Sequence, residues 1–199
     1  MKNIIAKTFS VLLHPTMVFA ILFITITYLR YRYTPYTVVM SIINMGICMT
    51  VCLLLLIICY KTKWIKSISL KNRSDRPIGY LCFALPLIIW MFCPTYGNAF
   101  TTLLIRVSIP ALYTILIVSI FWKMSAHLFF FGTVIGILYT LVYRNAFPLY
   151  FWWIILIMIL LAGCLGASRL YLKAHTPAQI YTGFTLGWLQ ASVITALLL

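Results

Sequence analysis

The sequence predicts an all-helical fold in which a bundle of apolar helices crosses a membrane. Of its 199 residues, 64% are hydrophobic, and the mean hydropathy is +1.09. Long apolar runs recur along the whole chain and are separated by short polar stretches. A spanning helix needs about 20 consecutive apolar residues, and most of these runs have about that length. We expect one transmembrane domain over residues 1–199, with two N-terminal spans in 1–60 and a core in 61–199.

The number of crossings follows from the lengths of the apolar runs. These runs lie at residues 9–29, 37–60, 79–93, 101–122, 128–143, 149–168 and 178–199. Two of them, 79–93 and 128–143, are short for a span, so we expect about six to seven crossings. The first run continues to about Tyr28 with no small-residue cleavage pattern. It is therefore interpreted as a retained span and not as a signal peptide.

The composition excludes several classes of site. Asp75 is the only acidic residue in the chain. Paired carboxylates for glycoside hydrolysis and carboxylate cages for magnesium or calcium are thereby excluded. The six cysteines form no C-x-x-C pair, so neither a thiolate metal site nor a disulfide framework is expected. We predict no metal and no cofactor.

The net charge of +14 points to an anionic partner. The basic residues are scattered between apolar segments and do not form an aromatic-interleaved patch, so nucleic acid is not expected. Membrane lipids with anionic headgroups, or a phosphorylated substrate, fit the charge better. The sequence leaves the oligomeric state open.

Three polar clusters interrupt the apolar runs, at Lys71–Pro77, Lys123–His127 and Ser168–Gln179. Two crossings separate each cluster from the next, so all three are predicted on one membrane face. Each also precedes a helix: Pro77 suits a first helical turn, Ser125 can cap the next helix, and Thr176 with its following proline can cap the last. Helix N-termini carry unsatisfied N–H groups and positive dipole ends, and together they favour an anion site.

In order and spacing the clusters resemble the signature K-x6-R-P, P-S-G-H, S-R-x5-H-x3-D of the type 2 phosphatidic acid phosphatase superfamily, the lipid phosphate phosphatases. The resemblance covers about the last two-thirds of the chain. Its third segment is the most specific, because Ser168, Arg169 and His175 all fall in register. Gln179 stands where the family has aspartate.

The other two segments match in part. Ser125 and His127 are kept in the second segment, where methionine and alanine replace the family's proline and glycine. Arg76 and its proline are kept in the first, but Ser69 stands at the lysine position. Lys71, two residues further on, and Arg73 are the candidates to replace that lysine.

The resemblance implies an acid phosphatase/haloperoxidase-like helical core and a metal-independent phosphohistidine mechanism on a lipid phosphate. It implies that His175 attacks phosphorus, that His127 protonates the leaving alkoxide, and that Gln179 takes the place of the residue that orients His175. The phosphate-binding residues implied are Arg76, Lys71, Ser125, Ser168 and Arg169. The location expected with this resemblance is the inner membrane of a bacterium, and the balance of basic residues leaves the orientation open.

Two alternatives depend on Gln179. Its spacing after Thr176 matches a capping box, in which the third helical residue reaches back to the cap N–H, and we favour this role over orientation of His175. A neutral amide in place of the family carboxylate also favours a second function, an inactive protein that binds a lipid phosphate as a carrier or scaffold. A transporter is a weaker third possibility, because no intramembrane carboxylate marks a coupling site.

Four further residues receive structural interpretations. His14 lies in the first apolar run with no visible partner. Asp75 is expected to pair with Arg73 or Arg76, or to cap the following helix. Gly183 and Gly187 form a G-x-x-x-G spacing in the last span, which predicts close helix packing.

Overall fold

A computed structural model describes residues 8, 12–31, 33–68, 70, 72–92 and 99–199. Its regular elements over those ranges are helices, with no strand. The α-helices are α1 (Pro15–Tyr31), α2 (Pro35–Lys61), α3 (Arg76–Phe92), α4 (Ala99–Phe121), α5 (Ala126–Tyr143), α6 (Phe151–Tyr171) and α7 (Pro177–Leu198), and a 3-10 turn (Arg73–Asp75) leads into α3.

Six of these helices, α2 to α7, are long and apolar enough to cross a membrane. The remaining helix, α1, has 17 residues. The all-helical, multi-span prediction is confirmed at this level. The chain divides into two compact units, one formed by Lys123–Leu199 with the N-terminal residues up to Phe19, the other by Ala20–Trp122.

The first unit is organised around α5, most of which is buried. Its contact with α7 is closest where glycines replace side chains: Gly132 and Gly136 on α5, Gly183 and Gly187 on α7. A Cβ at Gly187 would overlap the carbonyl oxygen of Phe129. The backbones themselves are therefore in contact, as the G-x-x-x-G spacing on α7 predicts. The same spacing on α5 supplies the other half of this contact.

The two helices run parallel. The amide of Ser125, at the start of α5, donates to the carbonyl of Gln179, in the first turn of α7, over 3.1 Å. Further along, the Thr140 hydroxyl is 3.4 Å from the carbonyl of Ser192. Both helices thus begin at the same end of the unit, with α6 returning between them in the chain.

The connection from α6 to α7 is short because α6 ends in a Schellman motif. The amide of Ala174 donates to the carbonyl of Arg169 over 3.0 Å, and that of Lys173 to the carbonyl of Leu170 over 2.9 Å. Lys173 holds a left-handed conformation, with φ 51, which lets the chain reverse. Thr176 then caps α7. This turn sets His175 directly before the new helix.

In the second unit, Asp75 organises the loop between α2 and α3. Its side chain is 2% exposed. Its Oδ2 accepts hydrogen bonds from the backbone amides of Lys66 and Ser67, at 3.0 and 3.1 Å, and from the side chain of Asn72 at 3.3 Å. The predicted pairing with a neighbouring arginine is therefore replaced by a bond to the loop backbone, whose N–H groups have no helical partner to satisfy them.

Candidate functional site

The site begins with His175 and Gln179, on either side of the start of α7. Gln179 Oε1 lies 3.1 Å from His175 Nδ1 and 3.2 Å from the backbone nitrogen of Thr176. The Thr176 hydroxyl in turn accepts from the amide of Gln179. The capping box is therefore present, and the same glutamine oxygen also contacts the His175 ring. The sequence left capping of α7 and orientation of the His175 ring as alternatives for Gln179, and one oxygen atom, Oε1, makes both contacts.

This arrangement determines which nitrogen of His175 carries the proton. A backbone N–H can only donate, so the glutamine atom that faces Thr176 is its oxygen. A carbonyl oxygen can only accept, so the His175 Nδ1 that faces it carries a hydrogen. In the neutral ring, Nε2 is then the nitrogen with the lone pair. His175 is 8% exposed, so the ring is held largely away from solvent.

Ser125 stands at the N-cap of α5, but its side chain does not cap the helix. The predicted cap is wrong in this respect, because packing against α7 takes the Ser125 amide to Gln179 and buries the residue completely. Its Oγ is buried without a hydrogen-bond partner among the residues that the structure describes. A buried hydroxyl in this state is costly unless something bonds to it.

His127 lies in the first turn of α5 and is half-buried. Its ring centroid is 5.3 Å from that of His14, and the two ring planes are 84° apart. His14 therefore has a ring partner that the sequence did not show. Arg169 completes this group from the last turn of α6. Loss of water around part of the His14 ring lowers its pKa, and the positive charge of Arg169 lowers this pKa further.

Ser168 precedes Arg169 at the end of α6. Its hydroxyl donates to the carbonyl of Cys164, one turn earlier, over 2.8 Å. The donor capacity of Ser168 is thus directed to its own helix, which leaves only its lone pairs for a ligand. Its predicted part in phosphate binding stays a prediction.

The residues of the first cluster belong to the second unit. Arg76 is 7% exposed, and its Nε donates to the carbonyl of Leu70 over 3.4 Å. Arg73 binds the end of α4, where its Nε donates to the carbonyl of Ser119 over 3.1 Å. Lys71 lies outside the described residues. The convergence of this cluster with His175 stays a prediction.

The first unit thus gathers the starts of two parallel helices, a buried serine that caps neither of them, an arginine and the three histidines of the chain. Helix N-termini and a guanidinium favour an anion, and imidazoles near neutral pH can give or take a proton. Sequence reasoning missed the contact of His14 with this group. The signal available for it was the proximity of a histidine and a proline at the start of an apolar run, which has no specificity.

The fold and the site together define a class of protein. It is a helical protein with six helices able to span a membrane, and it has a cluster of histidines and an arginine at one end of its first unit. Comparison with known proteins adds no closer grouping, since no family model, curated protein or solved structure matches the chain. The function must therefore be inferred from the site.

Proposed function

We propose that this protein is a membrane-embedded lipid phosphate phosphatase that hydrolyses a phosphate monoester or pyrophosphate through a phosphohistidine intermediate. The proposal includes an acid phosphatase/haloperoxidase-like core, as the resemblance to the type 2 phosphatidic acid phosphatase superfamily implies. Its main support is the contact of His175 Nδ1 with Gln179 Oε1 at 3.1 Å. That contact leaves the lone pair on Nε2, the form of imidazole that a nucleophile needs.

The proposed reaction has two steps. His175 Nε2 forms a bond to phosphorus while the ester P–O bond breaks, and His127 gives its proton to the leaving alkoxide. Water then attacks the phosphohistidine, His127 takes a proton from that water, and inorganic phosphate leaves. Phosphoryl transfer requires mainly positioning and fixed positive charge around the phosphoryl oxygens. Arg169, the Ser125 hydroxyl, the N–H groups in the first turn of α5 and the positive dipole end of α7 are the groups we assign to this role in the first unit.

The buried Ser125 hydroxyl supports an oxyanion ligand in particular. It has no partner among the described residues, and it belongs to the helix start that is tied to Gln179. A phosphoryl oxygen would satisfy this hydroxyl and accept from the adjacent helix N–H groups as well. A neutral ligand of similar size would satisfy the serine but would gain nothing from the helix dipoles.

The second candidate function is binding of a lipid phosphate without hydrolysis, as a carrier or scaffold. The observation that favours it is chemical. Gln179 can orient His175 but brings no negative charge to stabilise the ring when it becomes positive during attack. In a serine protease, replacing the aspartate that orients the catalytic histidine by asparagine costs about 10⁴ in rate. A slow or silent enzyme would still bind phosphate.

Phosphate release by the purified protein in detergent, from phosphatidic acid and from a lipid pyrophosphate, tests the proposal. We expect the wild-type protein to release phosphate and His175→Ala to release none. Equal release by both proteins would exclude His175 as the nucleophile. If neither releases phosphate, vanadate or headgroup binding that is abolished in Arg169→Ala would support the binding protein instead.

A further inference from the structure

The three histidines of the chain are His14, His127 and His175, and all belong to the first unit. His14 comes from the N-terminal part of that unit, which lies more than a hundred residues before the other two. Its carbonyl accepts from the amide of Met17 over 3.0 Å, which ties His14 to the start of α1. The backbone that carries the His14 ring is thus held by a helix.

The contact between His14 and His127 has a defined geometry. The ring centroids are 5.3 Å apart with an interplanar angle of 84°, so one ring presents its edge to the face of the other. Aromatic rings prefer this arrangement because the positive edge meets the negative face. A quarter turn of the His127 ring about its χ2 angle would lose the edge-to-face arrangement, and χ2 of histidine has only a broad intrinsic preference.

We infer that His14 is a positioning residue of the site, whose ring fixes the plane of the His127 ring and so limits the His127 nitrogens to two positions related by a half turn of the ring. The inference rests on the proposed function, since it concerns the proton that His127 gives to the leaving alkoxide. A general acid works only when its proton lies within hydrogen-bond reach of the atom that receives it. The ring of His127 is half-buried in the first turn of α5, and the contact with His14 favours one plane for it.

The charge of His14 agrees with this role. Partial loss of water and the positive charge of Arg169 both lower its pKa, which favours the neutral ring near neutral pH. A neutral ring beside His127 adds no repulsion to the protonated form that the general acid requires. His127 from α5 and Arg169 from α6 are among the groups that face His14.

A purely structural role would attach the N-terminal segment to α5 and do nothing else. Two variants separate the roles. His14→Phe keeps a ring for the edge-to-face contact, whereas His14→Ala removes it. Met17→Ala is the matched control on the same segment, because Met17 is 59% exposed.

The kinetic test compares two leaving groups in detergent. Hydrolysis of phosphatidic acid expels an alkoxide that needs a proton, and hydrolysis of p-nitrophenyl phosphate expels a stable phenolate that does not. With phosphatidic acid we expect His14→Ala to lower kcat about 10- to 100-fold at unchanged KM, and with p-nitrophenyl phosphate to change it about twofold at most. His14→Phe should recover most of the lost rate. Equal losses with both substrates, or no recovery with phenylalanine, would overturn the inference.

A second test does not depend on activity. Labelling with 15N-histidine gives signals from only three rings, and these can be assigned with His14→Phe, His127→Gln and His175→Gln. We expect His14→Ala to shift the ring signals of His127 and leave those of His175 in place, and Met17→Ala to shift neither. Unchanged His127 signals would overturn the inference. If those signals shift but the wild-type protein hydrolyses nothing, the proposed function fails and the general-acid role of this contact fails with it, while the ring contact stands.

Discussion

The double contact of Gln179 Oε1 makes Gln179→Glu an informative perturbation. Glutamate has the length of glutamine, so a carboxylate oxygen can take the place of Oε1 at 3.1 Å from His175 Nδ1 and 3.2 Å from the Thr176 nitrogen. The capping box is retained, because glutamate serves at this position as well as glutamine. The change therefore adds one negative charge beside a ring that becomes positive during attack.

The magnitude follows from that distance. Two unit charges 3.1 Å apart attract by about 5 kcal/mol at an effective dielectric constant of about 20. Most of this attraction is offset, because Gln179 is only half-buried and a carboxylate there loses part of its hydration. The gain of a charge-assisted hydrogen bond over a neutral one is about 1.4 kcal/mol. That corresponds to about a tenfold higher kcat, and the added negative charge raises the pKa of His175 in the variant.

The sign of the pH effect is fixed by the same step. Since the nucleophile is the neutral ring, a raised His175 pKa moves the acid limb of the rate profile to higher pH. The gain in kcat must therefore be measured on the plateau above that limb, with phosphatidic acid in detergent. Gln179→Leu, which has no acceptor, is the control and should be slower than the wild type. A Gln179→Glu protein that is no faster on the plateau and has an unmoved acid limb would refute this role of Gln179, as would a Gln179→Leu protein as fast as the wild type.

Three further predictions concern the fold. Gly187→Ala should lower the free energy of unfolding by about 1 to 3 kcal/mol, because its Cβ would overlap a backbone oxygen of α5. The control is Gly163→Ala, whose Cβ would meet nothing within 4 Å. Equal Tm values for the two variants would contradict the close α5–α7 contact. Asp75→Asn should lower the free energy of unfolding by roughly 1 to 3 kcal/mol and speed proteolysis of the loop between α2 and α3, because a carboxylate that accepts two backbone N–H bonds is lost. Unchanged cleavage would show that the loop does not depend on this carboxylate. The sulfur atoms of Cys59 and Cys82 lie 3.7 Å apart, so copper-phenanthroline should oxidise them to a disulfide in a variant that keeps only these two cysteines. Mass spectrometry would detect the disulfide as the loss of two hydrogens. Continued maleimide labelling of both thiols would contradict the α2–α3 contact.

Local features of the site were predictable from the sequence. Thr176 and Gln179 are three residues apart, and the capping box they form requires only a helix that begins between them. The contact of Gln179 with His175 spans four residues and follows from the same helix start. The G-x-x-x-G spacing on α7 likewise indicated a close helix contact, because backbones approach only where side chains are absent.

Contacts between distant parts of the chain were not predictable in the same way. Ser125 stands at the predicted cap position, yet tertiary packing turns its amide to α7 and leaves its hydroxyl unused for capping. Local propensity is here overridden by the neighbouring helix. The contact of His14 with His127 joins residues that no periodicity relates, and only the folded first unit brings them together. Asp75 was expected to pair with an arginine or to cap the following helix, but its carboxylate accepts from the backbone amides of its own loop.

The glycine contacts between α5 and α7 also restrict how a lipid can be held. A Cβ at any of the four glycines, Gly132 and Gly136 on α5 and Gly183 and Gly187 on α7, would lie within 3.0 Å of atoms of the partner helix. An acyl chain is wider than that space, so no hydrocarbon tail can pass between these two helices. A lipid whose headgroup reaches His175 must therefore leave its tail on another side of α7. The glycine contact between α5 and α7 thus closes one side of the site to the tail, and residues that select the tail must lie on the other faces of α7.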